Sequence, residues 1–251
     1  MPIDWRPLGV ALGMLLAWVI PAAAADGCGR MTHDGQGYVV CEVSADREPA
    51  LRLWQDGADG QPLRNFANVR ATLGQGENLA FAMNAGMYHA DYRPVGLLVI
   101  DGVELQPIVT GASRDNFGML PNGVFCTGGA KPFQVIESLA FADARPPCRL
   151  ATQSGPMLVI DGDLHPRFLP HSDSRYIRNG VGVDRDGRTA WFAISDAPVT
   201  FHEFGRFFRD GLGARDALYF DGSISRLYAP ELGRADWGRS MGPVIGAVAG
   251  G

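Results

Sequence analysis

The sequence predicts an α+β fold: a mixed, mostly antiparallel β-sheet built from Asp-Gly hairpins, with a few packed helices, in a single domain. Three observations carry this. Alternating apolar stretches recur around Asp-Gly pairs, which tolerate the positive φ angles of tight hairpin turns. One segment, 200–213, has helical periodicity and helix stop signals instead. The composition, 46% hydrophobic and 20% charged over 251 residues, suits a single sizeable core.

The first 25 residues read as a signal peptide. Arg6 precedes the apolar run "LGVALGMLLAWVI" (8–20), and "PAAAAD" offers Ala-x-Ala cleavage near Ala25. The run is short for a membrane span and ends in small residues. The expectation is a periplasmic or secreted protein of roughly 225 residues with no stable membrane span after signal removal. Net charge is −5 and the Lys and Arg residues are scattered, which argues against a nucleic-acid partner. Four cysteines follow the leader, Cys28, Cys41, Cys126 and Cys148. An even count in an exported chain suggests two disulfides. Sequence-local pairing, 28–41 and 126–148, is favoured among three connectivities. No C-x-x-C occurs, so a zinc or redox site is not indicated.

Residues 26–77 form an N-terminal β-hairpin region packed on the core. In it, "GYVVCEV" (37–43) and "ALRLWQ" (50–55) alternate like strands around a short charged loop. "NLAFAMNAGMY" (78–88) is a strand that runs into a glycine break. "PVGLLVIDGVELQPIV" (94–109) and "GPMLVIDGDLHPRF" (155–168) are hairpins sharing "LVIDG". "GVGVDRDGRTAWFAIS" (180–195) is a third, turning at Asp186-Gly187. No period recurs as solenoids require. "TFHE" (200–203) is a capping box, and Phe201, Phe204, Phe207, Phe208 and Leu212 follow at helical spacing as a core stripe. Gly211 and Gly213 end this helix, which feeds the strand "ALYF" (217–220) and delivers Asp221 to a strand end.

Four stretches carry polar groups suited to chemistry. In "AMNAGMYHADYRPVG" (82–96), Asn84 and Gly86 interrupt a strand, and Tyr88, His89 and Arg93 crowd behind them. Small residues there let backbone N–H groups approach a ligand, although Asn84 as a turn cap reads equally well. "ATQSGPML" (151–158) sets Ser154-Gly155 before a strand, which is not a nucleophile elbow. "SDSRYIRNGVGV" (172–183) places Arg178 and Asn179 at a strand entrance, where a guanidinium fork can meet a phosphate. Asp196 closes the strand "AWFAIS". In "ALYFDGSISRLY" (217–228), Asp221-Gly222 is followed by Ser223 and Ser225. The residues alone leave a hairpin turn and a site equally open. His89-x-Asp91 and His171-x-Asp173 are weak metal signals, and no metal or cofactor is assigned.

In order, "MNAGMY", "SGPMLVIDG", "IRNGVGV" and "TFHEFGRFFRDGLGARDALYFDGSIS" resemble the phosphodiester glycosidase domain family. Its mammalian member removes N-acetylglucosamine from phosphate on mannose 6-phosphate. The resemblance covers roughly 78–250 and implies a phosphodiester glycosidase-like domain over 78–251, of a bacterial exported sub-branch. The family's Asn-Gly-Gly-x-Phe motif falls on Asn84 to Tyr88. Its strand-entrance arginine falls on Arg178, its strand-closing aspartate on Asp196, and its Asp-Gly-Gly-x-Ser ending on Asp221 to Ser225. Ala85 and Ser223 each replace a glycine. The resemblance implies a catalytic set of Asp221, Asp196 and Arg178. Together, the residue reading and the resemblance give a substrate-binding set of Asn84, Gly86, Tyr88, His89, Arg93, Ser154, Gly155, Asn179, Gly222, Ser223 and Ser225. The implied partner is a carbohydrate phosphodiester whose glycosidic bond is hydrolysed. A non-catalytic glycan-binding module and a metal-dependent phosphodiesterase are the alternatives.

Overall fold

The computed structural model describes residues 27–47, 50–221 and 223–250. The leader and Gly222 lie outside the described residues. In chain order the first strands are β1 (Gly27–His33), β2 (Gln36–Ser44), β3 (Ala50–Trp54) and β4 (Asn78–Asn84), with helix α1 (Phe66–Ala71) between the last two. The middle holds β5 (Leu98–Ile100), β6 (Val103–Gln106), β7 (Gly123–Thr127), β8 (Phe133–Glu137), helix α2 (Ser138–Ala144), β9 (Leu150–Ser154), β10 (Met157–Ile160) and β11 (Asp163–Leu164). Then come β12 (Asn179–Val183), β13 (Thr189–Ser195), helix α3 (Phe201–Arg206), β14 (Asp216–Asp221), β15 (Leu227–Ala229), β16 (Arg234–Ala235) and β17 (Val244–Ala249).

These strands form three sheets. The first has the order β1-β2-β13-β12-β14-β10-β11, the second β16-β15-β4-β17-β3, and the third β6-β5-β9-β7-β8. Every pairing between named strands is antiparallel. The α+β class expected from the sequence is therefore the observed one.

The inner faces of all three sheets share one apolar core. The first sheet contributes Val39, Cys41, Phe192 and Phe220, the second Leu53, Phe81, Met83 and Ile245, and the third Leu98 and Phe125. Strand alternation sends Tyr38, Val40 and Tyr219 to the opposite face of the first sheet. There they meet the Phe204, Phe207 and Phe208 stripe of α3 and its following turn. Helix α1 covers the outer face of the second sheet through Phe66 and Val69. Phe141 of α2 packs on the third sheet against Val124 and Ala151.

The local signals hold well. Asp101-Gly102 joins β5 to β6 with φ of 48° and 80°, and Asp161-Gly162 joins β10 to β11 with φ of 52° and 91°. A further Asp-Gly hairpin, at Asp34-Gly35, joins β1 to β2. The hairpin at 180–195 forms too, but its loop is wider than a two-residue turn. Only Gly187 is left-handed there, at φ 69°. The Asp184 carboxylate closes this loop by accepting from the Arg188 and Thr189 N–H groups at 2.7 and 3.1 Å. The capping box at Thr200 and Glu203 is complete. Both sequence-local disulfides, Cys28–Cys41 and Cys126–Cys148, are present.

One long-range feature departs from the sequence expectation, and a second answers a question the residues alone left open. Strands 37–43 and 50–55 both form but do not pair with each other. Strand β2 lies between β1 and β13, whereas β3 is the edge strand of the second sheet, beside β17. Nor does Asp221-Gly222 turn a hairpin. Strand β15, which follows it, pairs with β4 and β16 and not with β14. The chain crosses from the first sheet to the second at Asp221.

Candidate functional site

That crossing is where the three sheets meet. Strands β4, β9 and β14 bring Asn84, Ser154 and Asp221 there by their C-terminal ends, and β12 brings Asn179 by its first residue. Asn84, Asn179 and Ser154 are fully buried and Asp221 is 9% exposed. Buried polar groups must find partners or cost stability, and these find one another. The Asn179 amide nitrogen donates to the Asn84 carbonyl at 2.9 Å, and the two side-chain amides face each other at 3.2 Å. The Asn179 side-chain oxygen also accepts from the Asp221 N–H at 3.3 Å and the Ser225 hydroxyl at 3.2 Å. Asn84 Oδ1 accepts from the Arg226 N–H at 3.0 Å. Two asparagines thus hold both ends of the 221–226 crossing.

The crossing is braced further. Asp221 Oδ1 accepts from the Ser223 N–H at 2.8 Å. Ser225 Oγ is also within hydrogen-bond reach of the carbonyls of Ile177, at 2.9 Å, and Asp221, so its one proton is shared among three acceptors. Ser154 donates its hydroxyl to the Phe220 carbonyl at 2.7 Å. A hydroxyl donated to a backbone carbonyl is a structural tie, in keeping with the absence of an elbow motif. Gly86 lies so close to the third sheet that a Cβ would stand 2.2 Å from the Gln153 carbonyl oxygen. That approach admits only glycine, and the Gly86 N–H is answered by the Thr152 hydroxyl at 3.2 Å.

Two phenols report the field around Asp221. Burial raises the Tyr88 pKa to about 12, and the Asp221 charge adds to the shift. The Tyr88 hydroxyl donates to the Ser240 carbonyl at 2.9 Å. Tyr219, buried two residues before Asp221, is pushed up by burial; Arg178 opposes the shift and Asp221 adds to it. Tyr219 had no signal in the sequence beyond apolar alternation.

Arg178 is not a surface arginine: it is 1% exposed. Its guanidinium stacks 3.7 Å from the Phe201 ring centroid, with Tyr176 and Tyr219 at 5.4 Å. Nε and Nη2 donate to the Val199 and Ser174 carbonyls at 2.9 and 3.1 Å, and the guanidinium is also engaged with the Tyr219 phenol. Burial works against its charge, and the tyrosine beside it favours it. The fork expected at the strand entrance is thus mostly committed to backbone carbonyls and to the ring wall around it.

The other predicted residues fall outside this cluster. Asp196, just past the end of β13, is 35% exposed at its side chain and is held by Arg234 at 3.0 Å and Arg30 at 3.6 Å. His89 and Arg93 close an exposed turn, with Arg93 3.4 Å from Asp56. Gly155 is buried against Asn122 and Phe117. Gly222 is outside the described residues. His171 and Asp173 are exposed, and among the described residues no three His, Cys, Asp or Glu side chains group as metal ligands.

A family model described as phosphodiester glycosidase matches residues 77–243. The chain belongs to the phosphodiester glycosidase family. This family member is 32% identical over 220 residues to the "Uncharacterized protein YigE" of Escherichia coli K12, covering 87% of this chain and 84% of that one. Among solved structures it matches the catalytic domain of zebrafish N-acetylglucosamine-1-phosphodiester alpha-N-acetylglucosaminidase, auto-inhibited by its pro-peptide. The TM-score is 0.60 at 14% identity, over 88% of this chain and 81% of that one. At that identity the likeness is one of fold. The family's residues 77–243 span β4 to the start of β17, so they include every residue of the asparagine-clamped crossing.

One participant had been passed over. Arg226 directly follows Ser225 and is 8% exposed, and its charge lowers the Tyr88 pKa where that of Asp221 raises it. An arginine directly ahead of the buried strand β15 was the available signal, because a cation placed there needs a reason.

Proposed function

We propose that this protein is an exported hydrolase cleaving the glycosidic bond of a sugar 1-phosphodiester. The observation that carries the reading is the clamp on Asp221. Four motifs far apart in sequence contribute Asn84, Ser154, Asn179 and Asp221 to one buried junction, and hydrogen bonds fix the carboxylate's own segment at both ends. A carboxylate held so is preorganised for work at one point in space. Family membership supplies the reaction class. The two disulfides, with no helix among the described residues long and apolar enough to cross a membrane, support export.

The bond broken is that between the anomeric carbon and its oxygen. The phosphate monoester departs with the electron pair, and positive charge grows on the sugar ring. Water supplies the hydroxyl to the anomeric carbon, and its proton passes to the carboxylate or the departing phosphate. Asp221 is the base or nucleophile in this reading. A phosphate monoester is a weak base, so it leaves without a strong acid behind it. Arg178, its guanidinium beside Tyr219, provides positive potential as negative charge gathers on the leaving phosphate. Asp196 is engaged by two arginines, so the chemistry rests on Asp221. Asn84, Asn179, Ser223 and Ser225 position the crossing and its carboxylate.

Product analysis on a panel of sugar 1-phosphodiesters tests this, with and without chelator. Free reducing sugar and phosphate monoester, unaffected by chelator, are expected. Sugar phosphate that disappears on chelation would point to a metal-dependent phosphodiesterase. Saturable binding with no product from any substrate would point to a glycan-binding module.

A further inference from the structure

The ring contacts of Arg178 continue into a column. Its guanidinium carbon stands 3.7 Å from the Phe201 ring centroid. The Phe168 ring stacks on Phe201 at 5.1 Å and an interplanar angle of 7°. The His165 imidazole stacks on Phe168 in turn, at 4.8 Å and 21°. Among the described residues, the rings that meet the guanidinium itself are Phe201, Tyr176 and Tyr219. Phe168 and His165 therefore reach it through Phe201. The lower end of the column is buried, with His165 2% exposed. Burial also holds the His165 imidazole below its ordinary pKa; the Leu120 carbonyl opposes that shift and Arg167 adds to it. Near neutral pH the column thus carries one cation, Arg178.

Three separate segments build this column, and each is fixed locally. Phe201 opens α3 directly after Thr200, whose capping box sets the start of the helix. Its edge meets the Tyr219 ring at 4.8 Å and 86°. Phe168 closes a turn: its N–H donates to the His165 carbonyl at 3.1 Å, and the Arg167 N–H donates to His165 Nδ1 at 3.2 Å. Gly205 lets that turn reach the helix. A Cβ there would stand 3.0 Å from Leu164 Cδ2 and 3.2 Å from the Leu158 carbonyl oxygen.

We infer that Phe168 is a positioning residue for Arg178, acting through Phe201. The hydrogen bonds from Nε and Nη2 to Val199 and Ser174 fix one edge of the guanidinium. A plate held along one edge can still tilt about it, and the ring face beside it opposes that tilt. A cation is attracted to the face of a ring and loses the attraction away from it, so the guanidinium follows Phe201. Phe201 keeps its own tilt because a parallel ring stacks on it. That the tilt governs turnover rests on the reading of the protein as a sugar phosphodiester hydrolase. The coupling of Phe168 to Arg178 does not.

The Arg178 Nε–H proton resonance reads the tilt without substrate, because a proton near an aromatic face carries a ring-current shift. Its loss in Arg178→Lys assigns it. Phe168→Leu should move this resonance and speed its exchange with water. Phe168→Tyr, which keeps the ring, should leave both near the wild-type values, as should Leu169→Ala at the exposed neighbouring position. In turnover, Phe168→Leu should lower kcat roughly tenfold with little change in KM, the scale of one misplaced cation–ring contact. The loss should be larger for the methyl than for the 4-nitrophenyl phosphodiester of one sugar, since the more basic departing phosphate needs the cation more. A smaller folded fraction would lower both rates equally. Where Phe168→Leu fails to fold, Phe168→Met, closer in volume, takes its place. An Arg178 resonance unmoved by loss of the Phe168 ring overturns the inference. So does a loss of turnover that is absent or equal for the two substrates. A resonance that moves as expected in a protein whose wild type cleaves no sugar 1-phosphodiester sinks the hydrolase reading and leaves the coupling standing.

Discussion

The chain uses Asp-Gly after an apolar strand at 101, 161 and 221, and the three sites behave differently. At Asp101 and Asp161 the aspartate is left-handed, its carboxylate is 76% and 79% exposed, and an arginine on the surface is its partner. At Asp221 the residue is 9% exposed, lies at the meeting of three sheets, and is tied to Asn179 and Ser223. The dipeptide is the same. What differs is where the following strand goes: back beside its predecessor at the first two, across to another sheet at the third. A hairpin needs an aspartate only for its backbone conformation. A crossing needs its backbone groups answered from elsewhere, and here two asparagines answer them.

The largest expected effect breaks the three apart by function. Asp221→Asn keeps size and hydrogen-bonding capacity but removes the charge. It should lower turnover of a cleavable sugar 1-phosphodiester by about a thousandfold, the scale of losing a positioned base. Asp101→Asn and Asp161→Asn should leave turnover within about twofold. Initial rates of the three purified variants decide it, and comparable losses in all three would mean that the comparison describes stability and not chemistry.

The contrast also shows which parts of the molecule were legible in the sequence. Asp101-Gly102 and Asp161-Gly162 were, because a tight turn is written in two residues. The capping box at Thr200 was, for the same local reason. The neighbours of β2 and β3 were not. Alternation identifies which residues face the core, but Val39 and Leu53 carry no mark of the sheet they will join. The clamping role of Asn179 was not legible, from the residues or from the family resemblance. Nothing in "RNGVG" tells that its amide will face Asn84, 95 residues earlier. Arg178 shows the limit most plainly: its position at a strand entrance was readable, but its burial under Phe201 depends on where α3 packs. Arg226 looks ordinary in sequence, and only burial sets it apart.

A middle-sized effect tests the clamp itself. Asn179→Ala removes hydrogen bonds to Asn84, Asp221 and Ser225 and leaves buried groups unanswered, which should cost about 3 kcal/mol of stability. Removing the surface pair of Asp101 and Arg149, by contrast, should cost about 0.5 kcal/mol or less. Urea unfolding of both variants measures the two on one scale. Similar midpoints for the two would show that the junction is no better held than a hairpin turn.

The smallest effect sharpens the electrostatic side of the comparison. Tyr88 is raised from the ordinary phenol value to about 12, first by burial and then by the Asp221 charge. A group whose folded pKa lies above its unfolded value contributes stability that is complete below the unfolded value, near 10, and disappears as pH rises through the folded one. Tyr88→Phe should therefore reduce the loss of stability seen between pH 10 and about 12, with Tyr38 and Tyr219 accounting for the remainder. Asp221→Asn should move the Tyr88 titration down but leave it above 10, because burial remains when the charge has gone. Difference absorbance of the phenolate, with Tyr88→Phe subtracted, reads this directly. Asp101→Asn and Asp161→Asn should leave that titration where it is, since no cause of the Tyr88 shift involves either residue. A Tyr88 titration indifferent to Asp221→Asn would separate the carboxylate from the phenol.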